Sequence, residues 1–557
     1  MSFTPYKFFA GLALAGLSLF AHSQSAPDAG ALRQQIEQQK EIRLPPAVRA
    51  QPVQPPPEIQ PRGGLSVKVK AFRFAGNTLL SAEQLEPSVA EFKDRELGFD
   101  GLQRATDAVA AAYQRSGWIA RVYLPEQDVS EGLITIQVVE ARFSGVRMEG
   151  DPPKRVLPSE IEAFFRAAQG IGQPLNSLAL DRALLLVDDL PGVSVAGTLA
   201  PGQTDGQTSL VLQSTDEPLF YGDAGLDNNG SRSTGSIRLT ANLNINSPGQ
   251  RGELMSINGL KTEGSDYARV ALTVPDGHNG LRLSANMSAM TYKVIVGPAA
   301  GTPAQITGRS NSMGADLNYP IVRARTHNLY LSAGVENKSF LTRDTQLRSD
   351  YETYTLKVGL SGNRFDELGG GGANSASVQW LSGRLANMNA HSQIDTIGRN
   401  YTKLSYSLSR QQALVGSHSL LLSLQGQQAS RVLDSSERFY VGGAQSVRAY
   451  PSSELGGERG ELLTAEWRWR FNPAWVLTGF VDQGRVVALA PTTSDKQAQY
   501  FLRGHGLSAS WQGGAGITTK LTWSRRDGSN PKPTLTGTDS DGTRKLDRLW
   551  LTMNASF

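Results

Sequence analysis

Apolar and polar residues alternate one by one through the second half of the chain, from about Leu219 to the C-terminus. The alternation is clearest in residues 237–246, 281–289, 329–335, 463–469 and 549–557. A period of two is typical of β-strands with one apolar face, and no helical period survives in this half. A soluble β-sandwich or β-solenoid buries that apolar face in a core, whereas a membrane barrel turns it towards lipid and its polar face towards a lumen.

Three features of this half favour the membrane barrel. The alternating segments are about 9 to 11 residues long, which is the length of a tilted strand that spans a bilayer. Aromatic residues recur near segment ends, as in Trp467, Trp469, Phe471 and Trp475. The chain stops on a strand ending in Phe557, which resembles the C-terminal signal recognised by the outer-membrane assembly machinery. At roughly 20 residues per strand and connection, residues 218–557 predict a transmembrane antiparallel β-barrel of about sixteen strands.

Residues 65–217 have a different pattern, in which strand and helix periods follow one another twice. Residues 65–140 and residues 141–217 each predict the order β-α-α-β-β. Capping boxes are predicted at the start of the first helix of each unit, by the pairs Ser81–Gln84 and Ser159–Glu162. The sequence therefore predicts two consecutive α+β modules in front of the barrel.

The N-terminal residues predict three short segments. Residues 1–25 are typical of a secretory signal peptide, with an apolar stretch too short to span a membrane as a helix. Residues 26–43 predict a polar helix whose only apolar pair is Leu32 and Ile36, so it has almost no face to bury in a core. It is either a frayed tail or a helix lodged in a water-filled pore. Residues 44–64 are rich in proline and predict an extended linker.

Composition argues against several classes of function. The formal net charge of +4 is small for 557 residues and gives no argument for a nucleic-acid partner. The chain has no cysteine, which excludes disulfides, thiolate catalysis and cysteine-ligated zinc. Its six histidines are scattered, and residues 369–372 lack the Lys-Ser/Thr of a phosphate loop. No catalytic residue, metal or cofactor is predicted, although a Ser–His hydrolase barrel stays open because geometry defines a triad.

One stretch within the barrel region, residues 438–451, is too glycine-rich and irregular to form another strand. It carries Arg448 between apolar and aromatic neighbours, and such a loop in a barrel suggests a plug, gate or latch. Further along, Val481 and Asp482 point to opposite faces of a strand, and a carboxylate there is tolerable only towards the lumen. That carboxylate needs a cationic partner, and Arg448 could supply one through a bidentate pair.

These motifs together resemble the two-partner secretion transporters, the TpsB family of outer-membrane proteins. Four stretches of this chain are similar to the periplasmic POTRA domains of that family, namely residues 116–128, 132–140, 174–176 and 188–193. Three further motifs resemble the family's inward-folded loop and the two strand motifs that follow it. The loop motif consists of Phe439, Gly442, Gly443, Val447 and Tyr450 around Arg448. The first strand motif has Phe480 and Gly484 around Asp482, and the second has Gly504 and Gly506. Each motif alone is weak, but all of them in order behind two POTRA-like modules are specific.

The resemblance implies an arrangement for the whole chain. Its domains are a signal peptide 1–25, a plug helix 26–43, a Pro-rich linker 44–64, POTRA domains 65–140 and 141–217, and a barrel 218–557 with an inward-folded loop near 437–460. It also implies that Arg448 and Asp482 form a latch between loop and barrel wall, where glycines let backbone approach backbone. Ala449 departs from the family's usual glycine and would be strained if that position needs a positive φ.

The function implied by the resemblance is export of one large partner protein of the adhesin, haemagglutinin or haemolysin type, without nucleotide. The expected location is the outer membrane of a Gram-negative bacterium, with the POTRA domains in the periplasm. These domains are expected to bind the unfolded partner by strand addition at Ile119, Arg121, Tyr123 and Leu124. Outer-membrane lipid and the barrel assembly machinery are the other expected partners.

Three alternatives stay open at this point. An assembly factor of the same superfamily inserts other barrels, but such proteins typically carry more POTRA domains and lack the plug helix. A diffusion porin needs no periplasmic modules. The third alternative is the lipid hydrolase barrel.

Overall fold

A computed structural model describes residues 28–38, 66–204, 206–296, 306–344, 348–389, 399–489, 498–534 and 536–557. The predicted signal peptide and Pro-rich linker lie outside these residues, as do both ends of the predicted plug helix. The first described element is helix α1, Ala29–Gln38. Within the described ranges, every helix is too short or too polar to span a membrane.

The first α+β module is a three-stranded sheet covered by two helices. Its elements are β1 (Val67–Lys68), β2 (Ala71–Ala75), α2 (Ala82–Val89), β3 (Glu96–Leu97), α3 (Phe99–Arg115), β4 (Ala120–Tyr123) and β5 (Leu133–Glu140). Strand β5 lies between β2, which is parallel to it, and β4, which is antiparallel and forms one edge. The capping box at Ser81 and Gln84 is confirmed by both of its hydrogen bonds. One apolar face of α3, which includes Val109, packs against Ile134 and Ile136 of the sheet.

The second module repeats this architecture with β6 (Arg142–Glu149), α4 (Pro158–Ala168), α5 (Ser177–Asp188), β7 (Val193–Pro201) and β8 (Gln207–Asp216). Strand β8 is central, and β6 and β7 form the edges. The predicted cap by Ser159 with Glu162 is wrong. Pro158 fits the first helical turn because its φ is fixed and it needs no N–H partner there, so α4 begins before Ser159 with Leu157 as its N-cap.

Sixteen antiparallel strands form a closed barrel behind these modules, which confirms the predicted fold. In chain order they are β9 (Phe220–Asp227), β10 (Arg238–Asn246), β11 (Leu254–Lys261), β12 (Ser265–Asp276), β13 (Leu281–Lys293), β14 (Thr307–Arg323), β15 (His327–Arg343), β16 (Arg348–Asp366), β17 (Gly372–Asn389), β18 (Asn400–Ala413), β19 (His418–Ala429), β22 (Arg459–Asn472), β23 (Trp475–Ala488), β24 (Ala498–Gln512), β25 (Ile517–Arg526) and β26 (Asp547–Ser556). Two short strands between β19 and β22, β20 (Phe439–Val441) and β21 (Leu455–Gly457), pair with each other outside the barrel sheet.

The predicted strand length of about 9 to 11 residues is too short for eleven of the sixteen barrel strands, which have 12 to 19 residues. The longest are β14 to β17, with 17, 17, 19 and 18 residues. On β16 the outward residues from Tyr354 to Leu360 are apolar and exposed, whereas Asp350 and Glu352 beyond them are charged. The additional residues are therefore polar and extend past the band that faces lipid.

The second module docks on the side of the barrel where β9 begins. The Nε and Nη2 atoms of Arg323, at the end of β14, each lie 2.7 Å from a carboxylate oxygen of Asp189. Arg325, in the turn between β14 and β15, pairs with Asp181 of α5 at 2.6 Å. These half-buried pairs hold the module directly below the turns of the barrel.

Candidate functional site

The connection between β19 and β22, residues 430–458, turns back against the inner wall of the barrel and is named the inward loop. Gly442 and Gly443 take φ values of 107° and 104°, which favour glycine. A Cβ on Gly442 would lie 2.4 Å from the carbonyl oxygen of Pro451, so no larger residue fits. An apolar cluster that includes Phe439, Val447 and Tyr450 packs the loop against the wall.

Arg448 and Asp482 are brought together at the tip of this loop. The Arg448 Nε lies 2.8 Å from Asp482 Oδ2 and its Nη2 lies 2.7 Å from Oδ1. The backbone N–H of Arg448 also donates to Oδ2, at 3.2 Å. Asp482 is completely buried. The guanidinium carbon stands 3.4 Å from the ring centroid of Phe480, so the ring covers the cation's open face.

Glu466 is a second acidic partner of Arg448 that the sequence reasoning missed. Its Oε1 accepts from Arg448 Nη1 at 2.8 Å, and its Oε2 pairs with Arg468 at 2.6 Å. In the register of β22 and β23, Glu466 lies opposite Phe480 and Thr464 lies opposite Asp482. The alternation in residues 463–469 already placed Glu466 on the polar face. The pairing register that brings it to Arg448 was not readable from the sequence.

The backbone of the loop tip is bound to the far end of the chain. Ser524 of β25 donates its hydroxyl to the carbonyl oxygen of Arg448 at 2.6 Å. Trp550 of β26 donates its indole N–H to the same oxygen at 2.7 Å. The loop tip therefore contacts strands from β22 to β26, and neither Ser524 nor Trp550 was singled out from the sequence.

The predicted glycines lie where the loop or the Phe480 ring approaches the wall. An added Cβ would be 2.9 Å from Val447 Cγ2 at Gly484, 2.5 Å from the Ala449 Cβ at Gly504, and 2.5 Å from the Phe480 ring at Gly506. Ala449 is buried against Gly504 and is not among the non-glycine residues with positive φ. The backbone at Ala449 is therefore unstrained, and alanine fits the turn.

Helix α1 lies inside the barrel, so of the two readings of this segment the helix lodged in the pore is correct. Arg33 is only 1% exposed and donates to the hydroxyls of Ser310 and Ser312 on β14. Ala29 and Leu32 pack against an apolar cluster of the wall. The helix therefore occupies the lumen beside β13 to β15 and is named the plug helix.

The plug helix and the inward loop share one lysine. Lys338 of β15 lies 3.5 Å from Glu37 of the helix and 3.5 Å from Glu437 of the loop. Glu437 is 2% exposed and also pairs with Lys403 of β18 at 2.7 Å. Loop, helix and wall thus form one ion-pair network inside the lumen.

The four predicted contacts in the first module differ in accessibility. Arg121 and Tyr123 are exposed on the edge strand β4, with the guanidinium 5.3 Å from the tyrosine ring centroid. Ile119 instead donates its N–H to Leu175 and accepts from Ala141, so its backbone is used at the junction of the two modules. Leu124 is half-buried against the module's core.

Phe557 is exposed at the barrel end that faces the modules. Its N–H and carbonyl group exchange hydrogen bonds with Gly222 of the first strand, at 3.0 and 3.1 Å.

The comparisons with known proteins identify the family. A family model described as haemolysin secretion/activation protein ShlB/FhaC/HecB matches residues 206–511, and a POTRA domain model of ShlB type matches residues 67–141. The chain belongs to the ShlB/FhaC/HecB family. Members of this family are outer-membrane transporters of two-partner secretion, so the barrel lies in the outer membrane and the POTRA modules lie in the periplasm.

Individual relatives agree with this ShlB/FhaC/HecB assignment. The heme/hemopexin transporter protein HuxB of Haemophilus influenzae is 24% identical over 464 residues, which cover 79% of this chain and 80% of HuxB. The solved structure of CdiB from Escherichia coli has a TM-score of 0.72 at 21% identity, and the match covers 96% of this chain and 99% of CdiB.

A BamA structure from Haemophilus ducreyi lacking POTRA domains 1–3 has a TM-score of 0.52 at 14% identity, covering 88% of this chain and 100% of that one. At that identity the BamA likeness concerns the fold alone. It does not favour the assembly-factor alternative over secretion by a ShlB/FhaC/HecB protein.

Proposed function

We propose that this transporter takes up an unfolded exoprotein of the adhesin, haemagglutinin or haemolysin type in the periplasm and threads it through the barrel without nucleotide. The observation that carries the proposal is the plug helix. It fills part of a polar lumen directly above the docked modules, and a buried but neutralised Arg33 holds it there. Water or a substrate can replace polar contacts of this kind, so a pore that they close can open for a substrate. The names of the relatives, a heme/hemopexin transporter and a hemolysin transporter protein of Proteus mirabilis, support the substrate class.

The edge strands of the modules are the proposed recognition surface. Strand β4 presents Arg121 and Tyr123, and the edge strands of the second module are β6 and β7. The start of β6 is already paired, because Phe143 exchanges backbone hydrogen bonds with residues 172 and 173. An extended segment of the exoprotein can add to such an edge through main-chain hydrogen bonds. Because the backbone of Ile119 is already paired, the proposal rests on residues 120–123 in the first module.

The proposed latch is the buried contact of Arg448 with Asp482, extended by Glu466. It keeps the inward loop on the wall, so that the lumen beside the plug helix has a defined shape during export. Phe557 is the proposed signal for the barrel assembly machinery, and the exposed apolar band is the proposed contact with outer-membrane lipid.

A secretion assay tests the proposal. The transporter is expressed with the large exoprotein encoded beside it, and the medium is probed for that protein. The double variant Arg121→Glu/Tyr123→Ala is expected to reduce secretion, whereas Glu83→Ala on the outer face of α2 serves as a matched surface control. If the double variant instead lowered the amounts of other outer-membrane barrels while the exoprotein was still secreted, the result would favour the assembly-factor function.

A further inference from the structure

The inner wall of the barrel is unevenly occupied. The plug helix lies against β13 to β15, and the tip of the inward loop lies against β22 to β26. The periplasmic halves of β16 to β18 and the facing part of β19 lie between these two occupants. A cavity of about 530 Å³ separates this wall from the plug helix and is lined by residues of both, including Gln34 and Ser377.

This part of the wall is polar but uncharged. The lumen-facing positions are those of alternate residues in 359–363, 375–379, 405–409 and 423–425, and every one is Gly, Ser, Asn or Gln. The next inward residue of β19, Gln427, is buried and donates to the Glu437 carbonyl oxygen of the inward loop. The central row across the four strands reads Ser361, Ser377, Ser407 and Gln425. We name this surface the neutral wall.

Charged side chains lie beyond both ends of the neutral wall. On β15 the residues opposite it are Ser332 and Tyr330, and Glu336 and Lys338 lie further along the strand. On β22 Thr464 lies opposite Ser423, and Glu466 and Arg468 lie beyond it. Lys403, next to Ser405 on β18, lines the same cavity. Lys357 stands just above the neutral wall on β16, already paired with Glu336 at 2.5 Å. The neutral wall itself carries no charge. Inward-facing residues in the middle of β10 and β11, such as Asn242 and Ser256, are also uncharged, so the neutral wall is distinguished by the cavity in front of it together with its composition.

The hydroxyls of the neutral wall satisfy one another across strands. The Oγ atoms of Ser375 and Ser409 are 2.7 Å apart, and those of Ser377 and Ser407 are also 2.7 Å apart. A hydroxyl both donates and accepts, so such a pair can open to bind a peptide N–H or C=O and then close again. Charge-assisted hydrogen bonds are roughly twice as strong as neutral ones, so a charged wall would retain a passing chain of opposite charge.

We propose that the neutral wall is the surface along which the extended backbone of the exported chain slides. The inference rests on the proposed export function and specifies where in the lumen the chain passes. An unfolded backbone has a donor and an acceptor at nearly every residue, which must be satisfied during passage. Conduction requires contacts favourable enough to admit the chain and weak enough to release it, and neutral hydroxyls and amides meet both conditions.

Site-specific photocrosslinking tests the position of the chain. The full transporter carries p-benzoylphenylalanine in place of Ser377 or of Ser407. The substrate is the exoprotein encoded beside it, with a C-terminal disulfide-closed domain that arrests it in the pore. The matched control replaces Ser256, a lumen serine of β11 that likewise bonds across strands, to Asn244 at 2.7 Å. Adducts several-fold more abundant from positions 377 and 407 than from position 256 are expected.

Charge substitution provides a second measurement. The double variant Ser377→Lys/Ser407→Lys is expected to lower secretion of the unmodified exoprotein several-fold, while Ser377→Asn/Ser407→Asn and Ser256→Lys secrete normally. Heat-modifiable mobility on gels confirms that each barrel has folded. Equal secretion by the lysine pair, or adducts mainly from position 256, would overturn the neutral wall and leave export itself intact. Failure of the unsubstituted transporter to secrete the exoprotein would overturn the proposed function.

Discussion

The variant Arg448→Ala tests the contact that holds the inward loop. The substitution removes three charge-assisted hydrogen bonds of 2.7 to 2.8 Å and leaves Asp482, which is completely buried, without a cation. Removing one partner of a buried ion pair costs about 3–5 kcal/mol, because the other charge is left unpaired. At 1.4 kcal/mol per factor of ten, the docked population of the loop should fall by roughly two to four orders of magnitude.

The absence of cysteine from the chain allows this shift to be measured directly. Val447 is fully buried beside the loop tip, so a single Val447→Cys probe reacts with a maleimide only when the loop leaves the wall. Adding Arg448→Ala should accelerate labelling by the predicted factor and strongly reduce secretion, while the barrel stays inserted. With Arg448→Lys, the labelling rate should lie between the rates of the proteins with native Arg448 and with Arg448→Ala, because lysine cannot make the bidentate contact.

The charge-reversal variant needs a third substitution because of Glu466. Arg448→Asp with Asp482→Arg would place a new carboxylate beside Glu466, which accepts from Arg448 at 2.8 Å in the native protein. Adding Glu466→Gln should therefore restore more secretion than the double exchange alone. Unchanged maleimide labelling and normal secretion by Arg448→Ala would refute the reasoning and make this arginine an ordinary loop residue.

Further predictions concern the loop contact, the plug helix and the first module. Gly504→Ala should displace the loop and accelerate the same labelling, because its Cβ would lie 2.5 Å from that of Ala449, whereas Gly514→Ala meets no neighbour within 4 Å and should be neutral. Arg33→Ala should increase channel opening in planar bilayers, because the plug helix loses Ser310 and Ser312, while Gln35→Ala should not. Burial tends to raise the pKa of Glu140, but hydrogen bonds from Thr78, Leu79 and Tyr113 outweigh it and lower the pKa below 4.5. The ionised Glu140 therefore stabilises the folded module at a pH above its pKa in the unfolded chain, and this stabilisation is lost as the pH falls through its lower pKa in the folded module. Acid should accordingly make the first module more sensitive to proteolysis, and Glu140→Gln should remove that dependence on pH.

The sequence predicted features that depend on local pattern. The alternation of period two and the chain length led to a barrel of sixteen strands, and the Ser81–Gln84 capping box formed as expected. The cap at Ser159 failed because Pro158, one residue earlier, begins the helix. The predicted strand length was too short for most barrel strands, and the error was largest for β14 to β17. On β16 the additional residues are polar, and a polar strand end beyond the membrane is not limited by the bilayer thickness.

Within the site, the need of a lumen-facing carboxylate for a cation suggested that Arg448 pairs with Asp482, and the family resemblance implied the same pair. The sequence missed Glu466, Ser524 and Trp550. These residues lie up to 102 positions from Arg448. Their contacts depend on the register between strands, and a shift of one residue would turn each of them to the lipid face. Periodicity assigns a face to a residue, but it does not say which residue of the neighbouring strand stands opposite.

The plug helix and the inward loop differ in what their departure would leave behind. Arg33 and Glu37 pair with each other at 2.8 Å, so the helix removes a balanced pair when it leaves. Lys338 then keeps Glu437 at 3.5 Å and Glu336 at 3.6 Å, and water can replace Arg33 at the serine hydroxyls. Departure of the loop would instead separate Arg448 from Asp482 and Glu466 and expose the apolar cluster that includes Val447 and Tyr450 to lumen water, which is the costlier case. The plug helix is therefore expected to leave the lumen first, while the loop remains on the wall and the path beside the neutral wall widens.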